Sequence, residues 1–273
     1  THRPRETPPA PQAITWELAP QEYGFYRVQA ALYRDDTLIL QKQATFGVLD
    51  LVDQRVDGEF GWSFPNGTQG LPFKDLVDVA LQAGINWLKH PVWSAGTGER
   101  SSEVAQFFEQ LLLRRIKPVG LLNDPPPELR RKFAVNWTGV SEVFSQSPAI
   151  WTPTSDPVIA RYSSTVQHWQ LGDDRDGSFV GLGRLPDTLS AIKREFDRIG
   201  RDVHVGVLWD AAAPLPADPR LSRAFFAFEQ SPPDRQAFLS GTARPSAPEA
   251  TDSSPAARWM LIHPLPKSKH PPE

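Results

Sequence analysis

Strand-like apolar runs that alternate with amphipathic stretches predict an α/β chain of the TIM-type (β/α)8 barrel class, preceded by a small antiparallel β segment. Seven strand candidates fall at 46–51, 85–92, 118–123, 166–172, 203–209, 224–229 and 259–265. Most are unbroken apolar runs, the pattern of parallel strands buried on both faces. Helix candidates lie between them at 73–83, 101–115, 128–137, 157–163, 185–199 and 234–239, and this repeated order suits a barrel better than a doubly wound sheet. The doubly wound alternative also wants a glycine-rich first turn. Gly181-Leu182-Gly183 is the nearest approach, and it lacks the third glycine.

Residues 1–12 are Pro-rich and polar, without periodicity, and read as a mobile tail. Residues 13–45 form the β segment, the end of a β-sandwich. A short strand is expected at 14–18, and 24–33 alternates Phe25, Arg27 and Gln29 against Tyr26, Val28 and Ala30. Asp35-Asp36 reads as a tight turn into a strand over 37–48. Residues 46–273 make up the barrel, about seven β/α units with the last unit missing at the C-terminus. Within it Leu189, Ile192, Phe196 and Ile199 form an apolar stripe. Asp187 is a helix-start signal, and Gly84 and Gly200 are stop signals. The chain starts at Thr1 and ends where a seventh helix should begin, so the missing strand and helix are expected from residues beyond 273 or from a neighbouring chain.

Composition narrows the function classes. Hydrophobic residues make up 40% and charged residues 22% of the 273 residues, enough for a real core. The net charge of −3 offers no basic excess to neutralise a phosphate backbone, so a nucleic-acid partner is not expected. No apolar run approaches the roughly 20 residues of a membrane-spanning helix. Without cysteine there are no disulfides, iron–sulfur clusters or thiolate zinc sites, and the chain suits an oxidising, extracytoplasmic (secreted or periplasmic) setting. His90, His168 and His204 share no ligand spacing, so neither metal nor cofactor is expected. Serines 63, 94 and 178 lack a G-x-S-x-G elbow.

Barrels carry their chemistry at the C-terminal ends of the strands. Those ends hold Asp50 and Asp53, then Lys89, His90 and Trp93, then Asn123 and Asp124. Asp173 and Asp174, Trp209 and Asp210, Glu229 and Gln230, and finally His263 follow. Carboxylates and amides bind vicinal hydroxyls, and indole faces stack on pyranose rings, so the set points to sugar. With 9 tryptophans in the chain, Trp62 and Trp93 in loops are the stacking candidates, while Trp87, Trp169 and Trp259 inside strands read as core. The competing reading of Asp173, Asp174 and Asp176 is a solvated surface loop.

Residues 162–176, YSSTVQHWQLGDDRD, resemble the fourth strand of clan A glycoside hydrolases, which ends W-x-x-W-N-E-P with the Glu as general acid/base. On that match Gly172 takes the place of the second Trp, Asp173 that of the Asn and Asp174 that of the Glu. AFFAFEQSPP is similar to the sixth-strand F-x-S-x-H-x-Y-P, with Glu229 at the His, and GINWLKHPVW and KPVGLLND suit the second and third strands. The resemblance spans roughly 46–266. It implies a retaining glycosidase barrel, with two carboxyl groups about 5–5.5 Å apart, but His263 falls at the nucleophile position and Asp replaces the acid/base Glu. The expectation is therefore polysaccharide recognition by a barrel with degenerate catalytic residues. Its catalytic candidates are Asp174 and Glu229; its substrate-binding candidates are His90, Trp93, Asn123, Asp173, Trp209, Asp210 and His263. Two alternatives stand beside it: an active glycosidase in which Asp174 works with a non-standard partner, and an assembly protein that binds protein partners through its Pro-rich segments.

Overall fold

The structure is a computed structural model that describes residues 22–48, 58–68, 70–93, 99–210, 213–229 and 256–261. The chain divides into two compact units, Thr1–Arg55 and Val56–Glu273.

In the first unit, β1 (Gly24–Arg34) and β2 (Thr37–Val48) form an antiparallel hairpin. Asp35 and Asp36 have φ of 48° and 64°, the left-handed pair that a two-residue hairpin turn needs and that Asp tolerates. Period-two alternation places Tyr26, Val28, Ala30 and Leu32 on one face with Leu40, Ala44 and Phe46, and the Tyr26 and Phe46 rings stack at 5.3 Å. A register shift at Leu32/Tyr33 interrupts the ladder near the turn. The expected first barrel strand at 46–51 is corrected here, because residues 46–48 belong to β2. The remainder, with Asp50 and Asp53, lies outside the described residues, as does the expected strand at 14–18.

The second unit carries seven parallel strands in strict sequence order: β3 (Gly61–Ser63), β4 (Trp87–Pro91), β5 (Lys117–Leu122), β6 (His168–Leu171), β7 (His204–Trp209), β8 (Ala224–Glu229) and β9 (Ala257–Leu261). Among the described residues β3 is the first strand of this sheet, too short at three residues to stand out as an apolar run. The sheet is curled. β4 and β9 are five strand spacings apart, about 24 Å on a flat sheet, yet the Trp87 and Trp259 rings meet at 5.1 Å. Among the described residues β3 and β9 do not pair, so the sheet is a barrel-like curl and not a closed ring.

Alternation along the strands sorts side chains into two layers. The outer layer, with the helices, holds the main core: Leu88, Leu122, Trp169, Val205, Val207 and Phe226 pack with residues of α1 (Phe73–Gln82), α2 (Glu99–Leu113), α5 (Pro148–Tyr162) and α6 (Leu185–Asp197). On α6 the stripe of Leu189, Ile192 and Phe196 is buried as its spacing predicts, and Gly84 (φ 68°) ends α1. The inner layer is aromatic towards the N-terminal ends of the strands. His168 stacks on His204 at 4.5 Å and meets Trp87 at 5.0 Å, while Phe225 stacks on Trp259 at 4.2 Å. Gly206 is required beneath this layer, since the Phe225 ring occupies the place of any β-carbon there.

Two helices depart from expectation. The predicted helix 128–137 reduces to α3 (Pro127–Arg130), because the Arg130 guanidinium donates to the carbonyls of Ala134 (2.8 Å) and Val135 (3.1 Å) and lies 4.3 Å from the Trp137 ring. Those carbonyls then turn to the arginine instead of continuing the helix. Conversely, α5 begins at Pro148, well before the expected residue 157, and runs through Pro153 and Pro157. Both prolines sit on its exposed side. The buried side, with Trp151, Val158, Ile159 and Tyr162, supplies the packing that offsets about 3 kcal/mol per interior proline. A short helix, α4 (Ser141–Phe144), precedes it. The expected helix at 234–239 lies outside the described residues.

The inner histidines give the fold a pH dependence. Burial, then the neighbouring His204 and Lys117, push His168 down from 6.5 to about 4. The unfolded chain therefore binds this proton more tightly, so the contribution is complete above about pH 6.5 and is lost progressively as pH falls towards 4. Melting curves of the native chain and His168→Phe between pH 4 and 7 should diverge on this account, with the native chain losing more stability as the pH falls. Parallel profiles would remove His168 as the cause.

Candidate functional site

At the C-terminal ends of the strands the inner layer changes from aromatic to polar. Ser63 on β3 and Lys89 on β4 are register partners and share the inner face, with Gln170 of β6 beside them. The chain leaves β6 through Gly172 (φ 83°), a position where a β-carbon would meet the Asp176 side chain at 2.6 Å. This tight bend turns Asp174 back into the curl. Lys89 Nζ donates to Asp174 Oδ1 at 2.7 Å and to Gln170 Oε1 at 2.8 Å. Gln170 Nε2 donates to Asp174 Oδ1 at 3.0 Å, and the Ser63 hydroxyl donates to Asp174 Oδ2. The pair is almost sealed, with 7% of the lysine and 10% of the aspartate side chain exposed.

The electrostatics follow from this packing. Burial pushes the Asp174 carboxyl up, but the Lys89 charge and the donors from Lys89, Ser63 and Gln170 outweigh it and hold the group below the ordinary carboxylate range. Burial draws the Lys89 ammonium down, and the Asp174 charge opposes this. The state that balances both is the ion pair, since discharging either member strands the other in a low dielectric.

The loop beyond Asp174 is braced. Asp176 accepts from the backbone N–H groups of Val140 and Ser178, each at 3.0 Å, and Ser178 Oγ accepts from Ser141 N–H at 3.1 Å. The loop after β3 is braced too. Phe64 to Gly67 closes a turn, and Asn123 Nδ2 donates to the Pro65 carbonyl at 3.0 Å. A recess of about 240 Å³ opens along Ser63–Thr68, beside the ion pair. Among the described residues no group of three or more His, Cys, Asp or Glu could hold a metal ion.

The expected site residues separate into three groups. Asp174 lies in the polar cluster, so the solvated-loop reading does not hold for it. Asn123 braces the adjoining loop, and Asp173 accepts from Arg175 N–H at the surface. Three expected mouth residues are corrected to core: alternation puts His90 and Trp209 on the helix-facing side, and Trp93, beyond the end of β4, is buried against α4. His90 sits among Phe73, Phe107 and Phe108 with Nδ1 2.8 Å from the Pro91 carbonyl, and burial first of all lowers it to about 4. Trp93 is fully buried against Phe144, and Trp209 packs on Phe226 and donates to the Ala213 carbonyl. Trp62, also expected in a loop, lies on β3 and packs against the outer core. Asp210 is exposed at the end of β7. The side chain of Glu229, and His263 altogether, lie outside the described residues. Sequence reasoning named Lys89 at a strand end without a role, weighed Ser63 only as a hydrolase nucleophile, and passed over Gln170. The available signal was inner-face parity with Asp174 on neighbouring strands.

An α/β curl of seven parallel strands with polar residues gathered at their C-terminal ends is a barrel-like arrangement. No protein-family model matches the chain, and no curated protein sequence matches it. Among solved structures it is similar to a family 39 glycoside hydrolase from Bacteroides cellulosilyticus WH2, at 13% identity and a TM-score of 0.44, covering 68% of this chain and 39% of that one. A family 1 β-glucosidase from Thermotoga maritima aligns at 11% identity and a TM-score of 0.41, covering 59% of this chain and 54% of that one. The chain thus spans about half or less of those enzymes.

The core placement of Trp93 has a measurable consequence. Trp93→Ala should cost about 3–5 kcal/mol in denaturant unfolding, as buried Trp deletions do, and a loss under 1 kcal/mol would return this residue to the surface. A second expectation concerns the ion pair. Lys89→Met should destabilise by about 3–5 kcal/mol by leaving Asp174 charged and unpaired, while Lys89→Met combined with Asp174→Leu should recover much of that loss. Additive losses would mean that the two residues do not act as a pair.

Proposed function

We propose that this chain is an extracytoplasmic carbohydrate-binding protein, built on a glycoside-hydrolase-like barrel, that recognises a polysaccharide without hydrolysing it. One observation carries the reading: Asp174, which falls at the acid/base position of the sequence resemblance, is locked in an ion pair with Lys89. A general acid must hold a proton at working pH and deliver it to the leaving oxygen. A carboxyl held below its usual range by a lysine 2.7 Å away holds no such proton. Both its oxygens are also engaged, by Lys89, Gln170 and Ser63. What remains at the strand ends is a rigid polar surface of amides, hydroxyls and carboxylates, the chemistry that binds vicinal hydroxyls. The extracytoplasmic placement belongs to the same reading and rests on the polysaccharide ligand.

The rival reading, an assembly protein with the barrel as scaffold, draws on the hairpin, where Phe25, Leu32, Tyr33, Leu38, Ile39 and Leu40 are exposed. Apolar exposure of this extent marks protein contact more often than sugar contact.

A glycan array and a panel of aryl glycosides separate the readings. The native chain should bind at least one class of oligosaccharide and give no turnover above background with any aryl glycoside. Turnover at enzymatic rates that disappears in Asp174→Asn would establish a glycosidase, and absence of any glycan binding would favour the scaffold.

A further inference from the structure

The geometry points to an acidic sugar, a uronate or another carboxylate-bearing residue, as the ligand of the recess along Ser63–Thr68; this rests on the carbohydrate-binding reading and names its substrate class. The recess is preorganised. Phe64 N–H pairs with the Lys89 carbonyl at 3.0 Å, which continues the β3–β4 ladder, and Gly67 N–H closes on the Phe64 carbonyl at 2.9 Å. Pro65, Asn66 and Gly67 occupy the second, third and fourth places of that turn, and Pro and Gly are favoured at the second and fourth. Gly67 has φ of 72°, and Asn123 fixes the Pro65 carbonyl from the neighbouring strand end. Little ordering entropy remains to be lost when a ligand enters.

Charge then distinguishes the ligand. The recess wall contributes the Asn66 amide and the Thr68 hydroxyl, neither of which is hydrogen-bonded to another described side chain. Both suit ring hydroxyls. The nearby Lys89 and Asp174 cancel one another. Arg100, on the first turn of α2, does not. Its Nη2 lies 3.7 Å from the place a β-carbon on Gly67 would take. Among the described residues it has no carboxylate within salt-bridge distance, a property it shares with other arginines; its place beside Gly67 is what sets it apart. An exposed arginine beside Gly67, one of the residues lining the recess, presents a planar fork that matches a carboxylate in a bidentate geometry. Gly67 keeps that approach clear, since any side chain there would stand against the guanidinium.

The experiment compares the intact chain and two variants on matched oligosaccharides, oligogalacturonate against neutral oligogalactose and oligoglucuronate-containing chains against cello-oligosaccharides, by titration calorimetry. The native chain should prefer an acidic member over its neutral counterpart by about tenfold or more, and the preference should shrink as salt is raised from 50 to 500 mM, on the order expected for a screened ion pair. Arg100→Gln should erase the preference while leaving the melting temperature unchanged. Asn66→Ala with Thr68→Ala should weaken acidic and neutral chains alike. Equal binding of acidic and neutral chains by the native protein, or a preference that survives Arg100→Gln, overturns the acidic-ligand inference and leaves carbohydrate binding standing. Absence of binding to every chain overturns both.

Discussion

A lysine and an aspartate buried together inside a curled sheet constrain the rest of this molecule. Lys89 on β4 reaches Gln170 two strands away and Asp174 just beyond it, and Ser63 joins from β3. A flat sheet would hold β3 and β6 about 14 Å apart, so the network exists because the sheet curls. The dependence also runs the other way. Once the two charges are out of water each requires the other, and any opening of the curl between β4 and the β6 loop exposes an unpaired ion to a low dielectric. The pair is thus a weak source of net stability and a strong determinant of geometry.

Below that network the inner face is filled by rings instead of charges. Trp87, His168, His204, Phe225 and Trp259 come from five different strands and form one connected set of ring contacts. Lys89 lies 5.7 Å from the Trp259 ring, which joins the polar layer to the aromatic one. Small residues make the fit: Gly61 beside Trp87 and Gly206 under Phe225, positions where a β-carbon would collide. This floor gives the polar cluster a packed, ring-filled base.

Several strands of the second unit were legible because a strand buried on both faces needs continuous apolar sequence, and 118–122, 205–209 and 224–228 have it. The hairpin was legible for the opposite reason, through strict alternation and an Asp-Asp turn. The misreadings share physical causes. β3 has three residues and its partners come from afar, so no local pattern announces it. The interior prolines of α5 contradict local propensity, and burial of Trp151 and its neighbours overrides them. Arg130 ends α3 through contacts that no periodicity encodes.

The site divides along the same line. By itself the sequence determined that the chain is α/β with a β hairpin before a parallel series, that its strand ends are rich in carboxylates, amides and tryptophan, and that Asp174 stands just past the C-terminal end of one of those strands. These follow from periodicity and order, which are local properties of the chain. Tertiary structure alone decided that His90, Trp93 and Trp209 turn towards the helices, and that Lys89, Ser63 and Gln170 turn inward to meet Asp174. Residues from three separate strands become neighbours only when hydrogen-bond register and curl fix which face each one occupies, and a shift of one residue in register would reverse that choice.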